Sequence, residues 1–127
     1  MKRIMLALAA LCCATPALAE WMTFMKSDTG VIYIDPASVR SEGHSRKASV
    51  LVDLARKDAD GVRSKRGQSE IDCQKDRLRI HDLSGFTGAM ASGVAVYALK
   101  GSSEWIPIPP QSALWNTVRL LCGRQSR

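Results

Sequence analysis

Cys73 and Cys122 are the residues whose type and spacing most directly predict a defined chemistry. The chain has four cysteines, but Cys12 and Cys13 lie in an N-terminal segment that has the features of a cleaved leader. In an exported domain of modest size, two remaining thiols are expected to oxidise to one disulfide. Such a bridge would close a loop of 49 residues and stabilise the fold by roughly 4 kcal/mol in the chain-entropy description.

Other candidates for catalysis or metal binding are few. The two histidines, His44 and His81, lie outside any recognisable nucleophile, general-base or metal motif. A zinc site needs four ligands, and two separated cysteines with two separated histidines lack the usual paired spacing. The glycine-rich residues 84–93 lack the lysine of a phosphate-binding loop. We therefore predict no enzymatic activity, no metal and no cofactor, and we expect His81 on a solvated surface.

Basic side chains form the best candidate for a binding site. They are Arg63, Lys65, Arg66, Lys75, Arg77 and Arg79. The first three lie in a charged segment and the last three in a predicted hairpin beside Cys73. Guanidinium groups suit sulfate and carboxylate because their donors form a planar fork. The neighbouring acidic residues Glu70, Asp72 and Asp76 could instead neutralise the cluster and leave a merely soluble surface, so both interpretations stay open.

Aromatic residues are expected to pack rather than to bind a ligand. Trp21, Trp105 and Trp115 are predicted to lie in the core or against a helix. Within the glycine-rich segment, Phe86 and Met90 would form an exposed contact lip or be buried, and burial is the commoner outcome.

The first 19 residues are predicted to be a signal peptide. Lys2 and Arg3 precede an apolar run, and residues 17–19 give a small-x-small cleavage site. That run is shorter than the roughly 20 residues that span a bilayer, and no other segment is long and apolar enough, so no transmembrane segment is predicted. Residues 20–127 then form one domain with one modest core.

Net charge limits the partners only broadly. The full chain carries a formal charge of +6, which becomes +4 once the lysine and arginine of the leader are removed. That surplus suits weak attraction to acidic proteins, anionic lipid headgroups or sulfated glycans. A dedicated nucleic-acid binder concentrates more positive charge, so no nucleic-acid partner is predicted. The predicted location is the periplasm, with the cell surface or the medium as alternatives.

Alternation of apolar and polar residues predicts an antiparallel sheet of about six strands. The strands are expected at residues 22–25, 31–34, 47–54, 69–74, 77–81 and 94–99. In the third, four aliphatic side chains share one face, and Leu51 interrupts the polar face. Residues 56–67 are predicted to be an exposed, mobile loop, and residues 84–93 a flexible link.

One helix is predicted at the end of the chain. Residues 106–110 are a proline-rich spacer, and Ser112 is a suitable N-cap. An apolar stripe at helical spacing follows, formed by Leu114, Val118, Leu121 and Cys122. Because Cys73 falls on the inward face of its strand, one contact would join the two sulfurs. The predicted fold class is α+β, a single twisted antiparallel sheet with a C-terminal helix packed on one face through a disulfide.

Several short motifs follow one another in a defined order. They are Trp21, then Tyr33, Ile34, Asp35 and Pro36 with Ser38 and Arg40, then Ile71, Asp72 and Cys73, and finally Trp105, residues 106–110, Ser112 and Cys122. In this order and spacing the chain resembles the surface-adhesin protein E family of Gram-negative envelope proteins. The resemblance implies a helix held on a twisted sheet by the cysteine pair. It also implies relatives that bind host matrix glycoproteins at the cell surface and self-associate.

Two functions are favoured by these observations, and a third, a small inhibitor of an envelope hydrolase, fits the size and the disulfide but is indicated by no motif. The first is a non-enzymatic, exported binding module whose sheet edge or basic hairpin contacts an extracellular-matrix protein or a sulfated glycan. The second is a periplasmic structural or accessory protein that self-associates and has no host ligand. The second is favoured by the lack of a convincing lipid-anchor cysteine, which departs from the family pattern. Exposed strand edges make a homodimer compatible with both.

Overall fold

The computed structural model describes residues 20–123, so the predicted signal peptide lies outside the described residues. Over this range the chain forms β1 (Met22–Ser27), β2 (Gly30–Ile34), β3 (Arg40–Glu42), β4 (Ser45–Leu54), β5 (Ser64–Asp72), β6 (Arg77–Phe86), β7 (Ala95–Ala98), β8 (Ile106–Pro107) and α1 (Ala113–Cys122). Two short 3₁₀ turns, Pro36–Ser38 and Ala89–Ala91, connect strands.

The strands form one antiparallel sheet in the order β1-β2-β4-β5-β6-β7. β2 pairs with the second half of β4, and the short β3 pairs with its first half. In the same way, β7 pairs with the end of β6 and the short β8 pairs with its beginning. The six-strand path and the single C-terminal helix confirm the predicted α+β fold class.

The helix α1 lies on one face of the sheet, which we call the covered face. Its buried core consists of Ile71, Cys73, Ile108, Val118 and Cys122. Partly buried side chains that pack against this core are Phe24, Leu78, Leu114, Trp115 and Leu121. The Cys73–Cys122 disulfide joins the two elements with Cα atoms 5.7 Å apart. The predicted bridge and the predicted apolar stripe are thus both confirmed.

Local interactions fix the start and the end of α1. The Ser112 hydroxyl accepts a hydrogen bond from the Trp115 backbone N–H at 3.1 Å, which satisfies one of the free donors of the first turn. Gly123 follows with φ at 60°, a conformation that favours glycine. Arg119 reaches Asp76 at 3.3 Å and so ties the helix to the β5–β6 turn. Across residues 20–123, no helix has the length and apolarity to cross a membrane.

Two strands are longer than the sequence predicts. Residues 64–67, expected in a mobile loop, begin β5 and pair with β4 on one side and β6 on the other. Val62, just before β5, is fully buried. Several charges of this segment are paired, as in the 2.9 Å contact of Arg63 with Asp53 and the 3.9 Å contact of Lys65 with Asp58. β6 likewise runs to Phe86, which shortens the predicted link.

Leu51 is fully buried although it lies on the predicted polar side of β4. The 3₁₀ turn Ala89–Ala91 folds back over this end of the sheet, where the Met90 backbone N–H donates to Asp53 Oδ1 at 3.0 Å. Asp53 and Leu51 share a face because they are two residues apart on one strand. Leu51 therefore fills a second, smaller buried site rather than interrupting a solvated row.

Candidate functional site

The face of the sheet opposite α1 is polar, and we call it the open face. The strand register places on it Ser49, Arg66, Gln68, Glu70, Asp72, Arg77, Arg79 and His81. Glu70 lies directly opposite Arg79, and Asp72 directly opposite Arg77. Opposite charges in such cross-strand pairs stabilise a sheet. This face therefore gathers the functional groups of three adjacent strands.

Glu70 is the centre of what we call the hairpin end of the open face, formed by Glu70, Asp72, Arg77, Arg79 and His81. Glu70 is 7% exposed, and its Oε1 accepts a hydrogen bond from Arg79 Nε at 2.8 Å and lies 2.7 Å from His81 Nε2. Burial raises the pKa of the Glu70 carboxyl, but the hydrogen bonds and charges of Arg79 and His81 outweigh it. The net pKa lies below the ordinary value, so the carboxylate stays ionised.

Asp72 organises the tip of the hairpin in a similar way. Its Oδ1 accepts from the backbone N–H groups of Gln74 and Lys75, and its Oδ2 accepts from Arg77 Nε at 3.1 Å. Burial acts to raise the pKa of Asp72, whereas these three hydrogen bonds and the Arg77 charge lower it, and the lowering is larger. The carboxylate thus holds the turn and one guanidinium at the same time.

His81 and Trp105 depart from the sequence-based expectations. The His81 side chain is 18% exposed, and its Nδ1 lies 2.6 Å from Ser102 Oγ, so it is not the solvated histidine predicted. Trp105 does not pack in the core, because the guanidinium carbons of Arg77 and Arg79 lie 4.3 and 4.2 Å from its ring centroid. Ile106 pairs with Leu78, and this register turns the preceding indole to the open face.

The middle of the open face is an open cleft of about 460 Å³. We call it the Arg66 cleft, and its lining is Ser49, Arg66, Gly67, Gln68, Asp82, Ser84 and Phe86. Along β5, the cleft lies between the hairpin end on one side and the Ala89–Ala91 turn on the other. Arg66 is exposed and makes no ion pair or side-chain hydrogen bond with any residue in the 20–123 range. The cleft is thus a polar region whose arginine has no side-chain partner within residues 20–123.

A β-bulge shapes the floor of the cleft. Between Arg66 and Gln68 the register with β6 shifts, and Asp82 on the bulged strand has φ at 52°. The backbone approaches closely at Gly67, where a Cβ atom would lie 3.1 Å from the His81 carbonyl oxygen. Glycine at this position therefore permits the bulge that aims the β6 side chains into the cleft.

The six basic residues singled out in the sequence do not form one patch. Arg66, Arg77 and Arg79 share the open face. Lys65 pairs with Val52 and so projects on the other side, with its amine 3.9 Å from Asp58. Arg63 precedes β5 and is bound to a carboxylate, while Lys75 is exposed at the hairpin turn. The structure thus brings three of the six together and separates the rest.

The uncharged lining of the cleft was not identified from the sequence. Gln68, Ser84 and Ser49 belong to no sequence motif, and for Phe86 the sequence leaves both burial and an exposed contact lip open. A usable signal existed in β5, where positions 66, 68, 70 and 72 are all polar. An unbroken polar row in a central strand indicates a face that no layer covers. Across residues 20–123, no three histidine, cysteine or acidic residues lie close enough to hold a metal ion.

Comparison with known proteins places this geometry in a family. A profile described as surface-adhesin protein E matches residues 21–123. A crystal structure of protein E from non-typeable Haemophilus influenzae superposes with a TM-score of 0.62 at 17% identity, covering 85% of this chain and 78% of that one.

A second crystal form of Haemophilus influenzae protein E gives a TM-score of 0.59 at 16% identity, covering 85% of this chain and 91% of that one. At this identity the likeness to the solved structures establishes the fold. Comparison with curated protein sequences finds no match. The profile spans almost all of the described residues, and the chain belongs to the surface-adhesin protein E family.

Proposed function

We propose that the protein is an exported, non-enzymatic binding module that contacts an extracellular-matrix protein or a sulfated glycan through the basic part of its open face. Residues 1–19 are its signal peptide, and residues 20–127 are the domain that reaches the envelope. Such a module requires the cell surface or the medium as its location, whereas the periplasm, which the sequence favours, suits the second candidate below. Membership of a family of surface adhesins supports this proposal.

The observation that carries the proposal is the distribution of positive charge on the uncovered side of the sheet. Arg66 and Lys75 are exposed there and at the adjoining turn, and the side chains of Arg77 and Arg79 keep 32% and 31% of their surface exposed. Trp105 holds the last two guanidinium groups in place from one side. Positioned guanidinium groups bind sulfate and carboxylate with less loss of side-chain entropy.

Retention of the mature protein on immobilised heparin, laminin and vitronectin tests this proposal. We expect retention at low ionic strength and release by salt, because exposed charges interact over about 10 Å at 0.1 M salt. The Lys75→Glu variant should elute from the columns at a lower salt concentration than the wild-type protein. Lys26→Glu, the same charge change on an exposed residue of β1, is the matched control. A wild-type protein that flows through all three columns at low salt would contradict the proposal.

A periplasmic accessory protein that self-associates is the second candidate. β1 and β7 are the terminal strands of the sheet path, so each has one edge without a partner strand in the 20–123 range. Large apolar side chains are exposed beside β7, with Val94 at 71%, Val96 at 41% and Leu99 at 59%. Exposed edges with apolar side chains favour strand pairing between copies.

Cell fractionation and light scattering separate the two candidates. A protein confined to the periplasm that elutes as a dimer and ignores the three columns would favour self-association. Val96→Lys should then restore a monomer, because a charged side chain on an exposed edge strand opposes pairing. A monomer found in the outer-membrane or medium fraction would favour the binding module instead.

A further inference from the structure

The Arg66 cleft combines one cation, one anion, neutral hydrogen-bonding groups and an aromatic ring. Arg66 supplies the planar guanidinium, and Asp82 supplies a carboxylate whose Oδ1 already accepts from the Gly101 backbone N–H at 2.9 Å. The neutral groups are the hydroxyls of Ser49 and Ser84 and the amide of Gln68. Phe86 presents the aromatic surface. These groups converge from three neighbouring strands onto one volume.

Within the described part of the chain, the neutral groups of the cleft lack side-chain partners. Across the stretch 20–123, neither the Ser49 hydroxyl, the Gln68 amide nor the Ser84 hydroxyl makes a side-chain hydrogen bond. At the hairpin end, by contrast, Glu70 and Asp72 each accept several hydrogen bonds. Polar groups that converge on an open cleft without internal partners are available to a ligand.

We propose that the Arg66 cleft binds a saccharide unit that carries a single carboxylate, of the uronic-acid type. Arg66 takes the carboxylate through its two-donor fork. The hydroxyl and amide groups both donate and accept, as do sugar hydroxyls, and Asp82 accepts from further hydroxyls. The ring of Phe86 takes the apolar C–H face of the pyranose. The volume of about 460 Å³ lies within the range of small-ligand sites, so one sugar ring can enter.

The charge balance of the cleft selects among anionic ligands. One exposed arginine beside one aspartate gives the cleft no net positive charge, so the sulfated parts of a glycan are expected at Lys75, Arg77 and Arg79, and a singly charged unit at Arg66. A simple inorganic anion would leave the three neutral groups unused. The cleft thus indicates the ligand class for one part of the open face. Because that face is the proposed binding surface, the inference rests on the proposed function.

Titration of the isotope-labelled mature protein with its disulfide intact, followed by ¹H–¹⁵N spectra, tests this site. The probes are sodium glucuronate, glucose, sodium acetate and glycine at equal ionic strength and millimolar concentration. We expect saturable shifts of the Arg66, Gly67 and Gln68 amides with glucuronate, and binding about tenfold weaker with glucose, which lacks the charge-assisted contact. Three results would each overturn the proposal: acetate that binds as tightly as glucuronate, glycine that binds more tightly than glucuronate, or no saturable shift with glucuronate.

Three variants identify the contacts. Arg66→Gln should reduce glucuronate binding to the level of glucose, and Gln68→Ala should weaken both sugars by roughly threefold to tenfold. Lys26→Gln, which changes an exposed cation of β1 outside the cleft, is the matched control and should change neither affinity. Because Gln68→Ala alters no charge, it should leave heparin retention intact. Failure of the columns and failure of the sugar titration are therefore separate results.

Discussion

The side chains of the covered face and those of the open face are stabilised by different interactions. On the covered face, Ile71, Ile108 and Val118 exclude water around a disulfide, so burial and covalent closure do the stabilising. On the open face, the two ends differ again. Side chains at the hairpin end bind one another, whereas those of the Arg66 cleft have few partners in the described chain. The covered face and the ion pairs of the hairpin end are thus expected to contribute most of the stability, whereas the groups of the cleft remain available to a ligand.

The largest effect is expected for the covered face. Replacing both Cys73 and Cys122 with serine removes the closure of a 49-residue loop, and the free energy of unfolding should fall by about 4 kcal/mol. Urea denaturation followed by circular dichroism measures this. Wild-type protein kept in reductant is the control and should unfold at the same midpoint as the double variant. An unchanged midpoint would mean that packing alone holds α1 on the sheet.

The second effect tests the internal pairing of the hairpin end. Glu70→Gln removes the charge that Arg79 and His81 both contact, and we expect a loss of about 2 kcal/mol in unfolding free energy. Glu42→Gln is the matched control. Its carboxylate also pairs, with Lys47 at 3.1 Å, but the side chain is 61% exposed, so the loss should stay below about 0.5 kcal/mol. Equal losses in the two variants would contradict a special role for the hairpin end.

The pH dependence of stability sharpens the same point. Glu70 and Asp72 have pKa values below their ordinary ones in the folded protein, so their contribution is present above the ordinary carboxyl pKa of about 4. It is lost as the pH falls from there through the lower folded-state pKa values. Denaturation midpoints measured from pH 6 down to pH 2 should therefore fall on the acid side. The Glu70→Gln, Asp72→Asn double variant should show a flatter profile.

The sequence predicts the covered face better than the open face, and the reason is physical. Cys73 and Cys122 each lie in an apolar pattern with one periodicity, and a buried layer requires such a pattern. The fold class, the helix and the bridge could therefore be predicted. Strand β5 was predicted only from residue 69, because residues 64–67 are polar and small, and their backbone pairs with β4 and β6, which lie elsewhere in the chain. Local composition does not reveal such pairing.

The functional groups of the open face depend on register, which a single sequence does not determine. Trp105 was expected in the core, since nothing local shows that β8 pairs with β6 and turns the indole toward Arg77 and Arg79. The bulge opposite Gly67 also cannot be predicted from the sequence, although it determines on which face Ser84 and Phe86 lie. The basic residues were found by type, and only the pairing of the strands separates the bound ones from the exposed ones.

The smallest effect is expected at the Arg66 cleft. Arg66→Gln removes no ion pair known in residues 20–123, so unfolding free energy should change by less than about 0.5 kcal/mol. Arg79→Gln, the same substitution at the hairpin end, removes a donor to a buried carboxylate and should cost about 1.5–3 kcal/mol. Thermal and urea denaturation of the two variants measure the difference directly.

This last pair of variants decides whether the open face has two kinds of arginine. If both variants lose stability to the same extent, Arg66 has a structural role, and its exposure is not the mark of a ligand site. If neither does, the hairpin end is as free as the cleft, and the whole basic set is available to one extended polyanion. If only Arg79→Gln loses stability, the Arg66 guanidinium has no structural role in the fold. The side-chain entropy lost when Arg66 is ordered would then be offset by binding of a ligand.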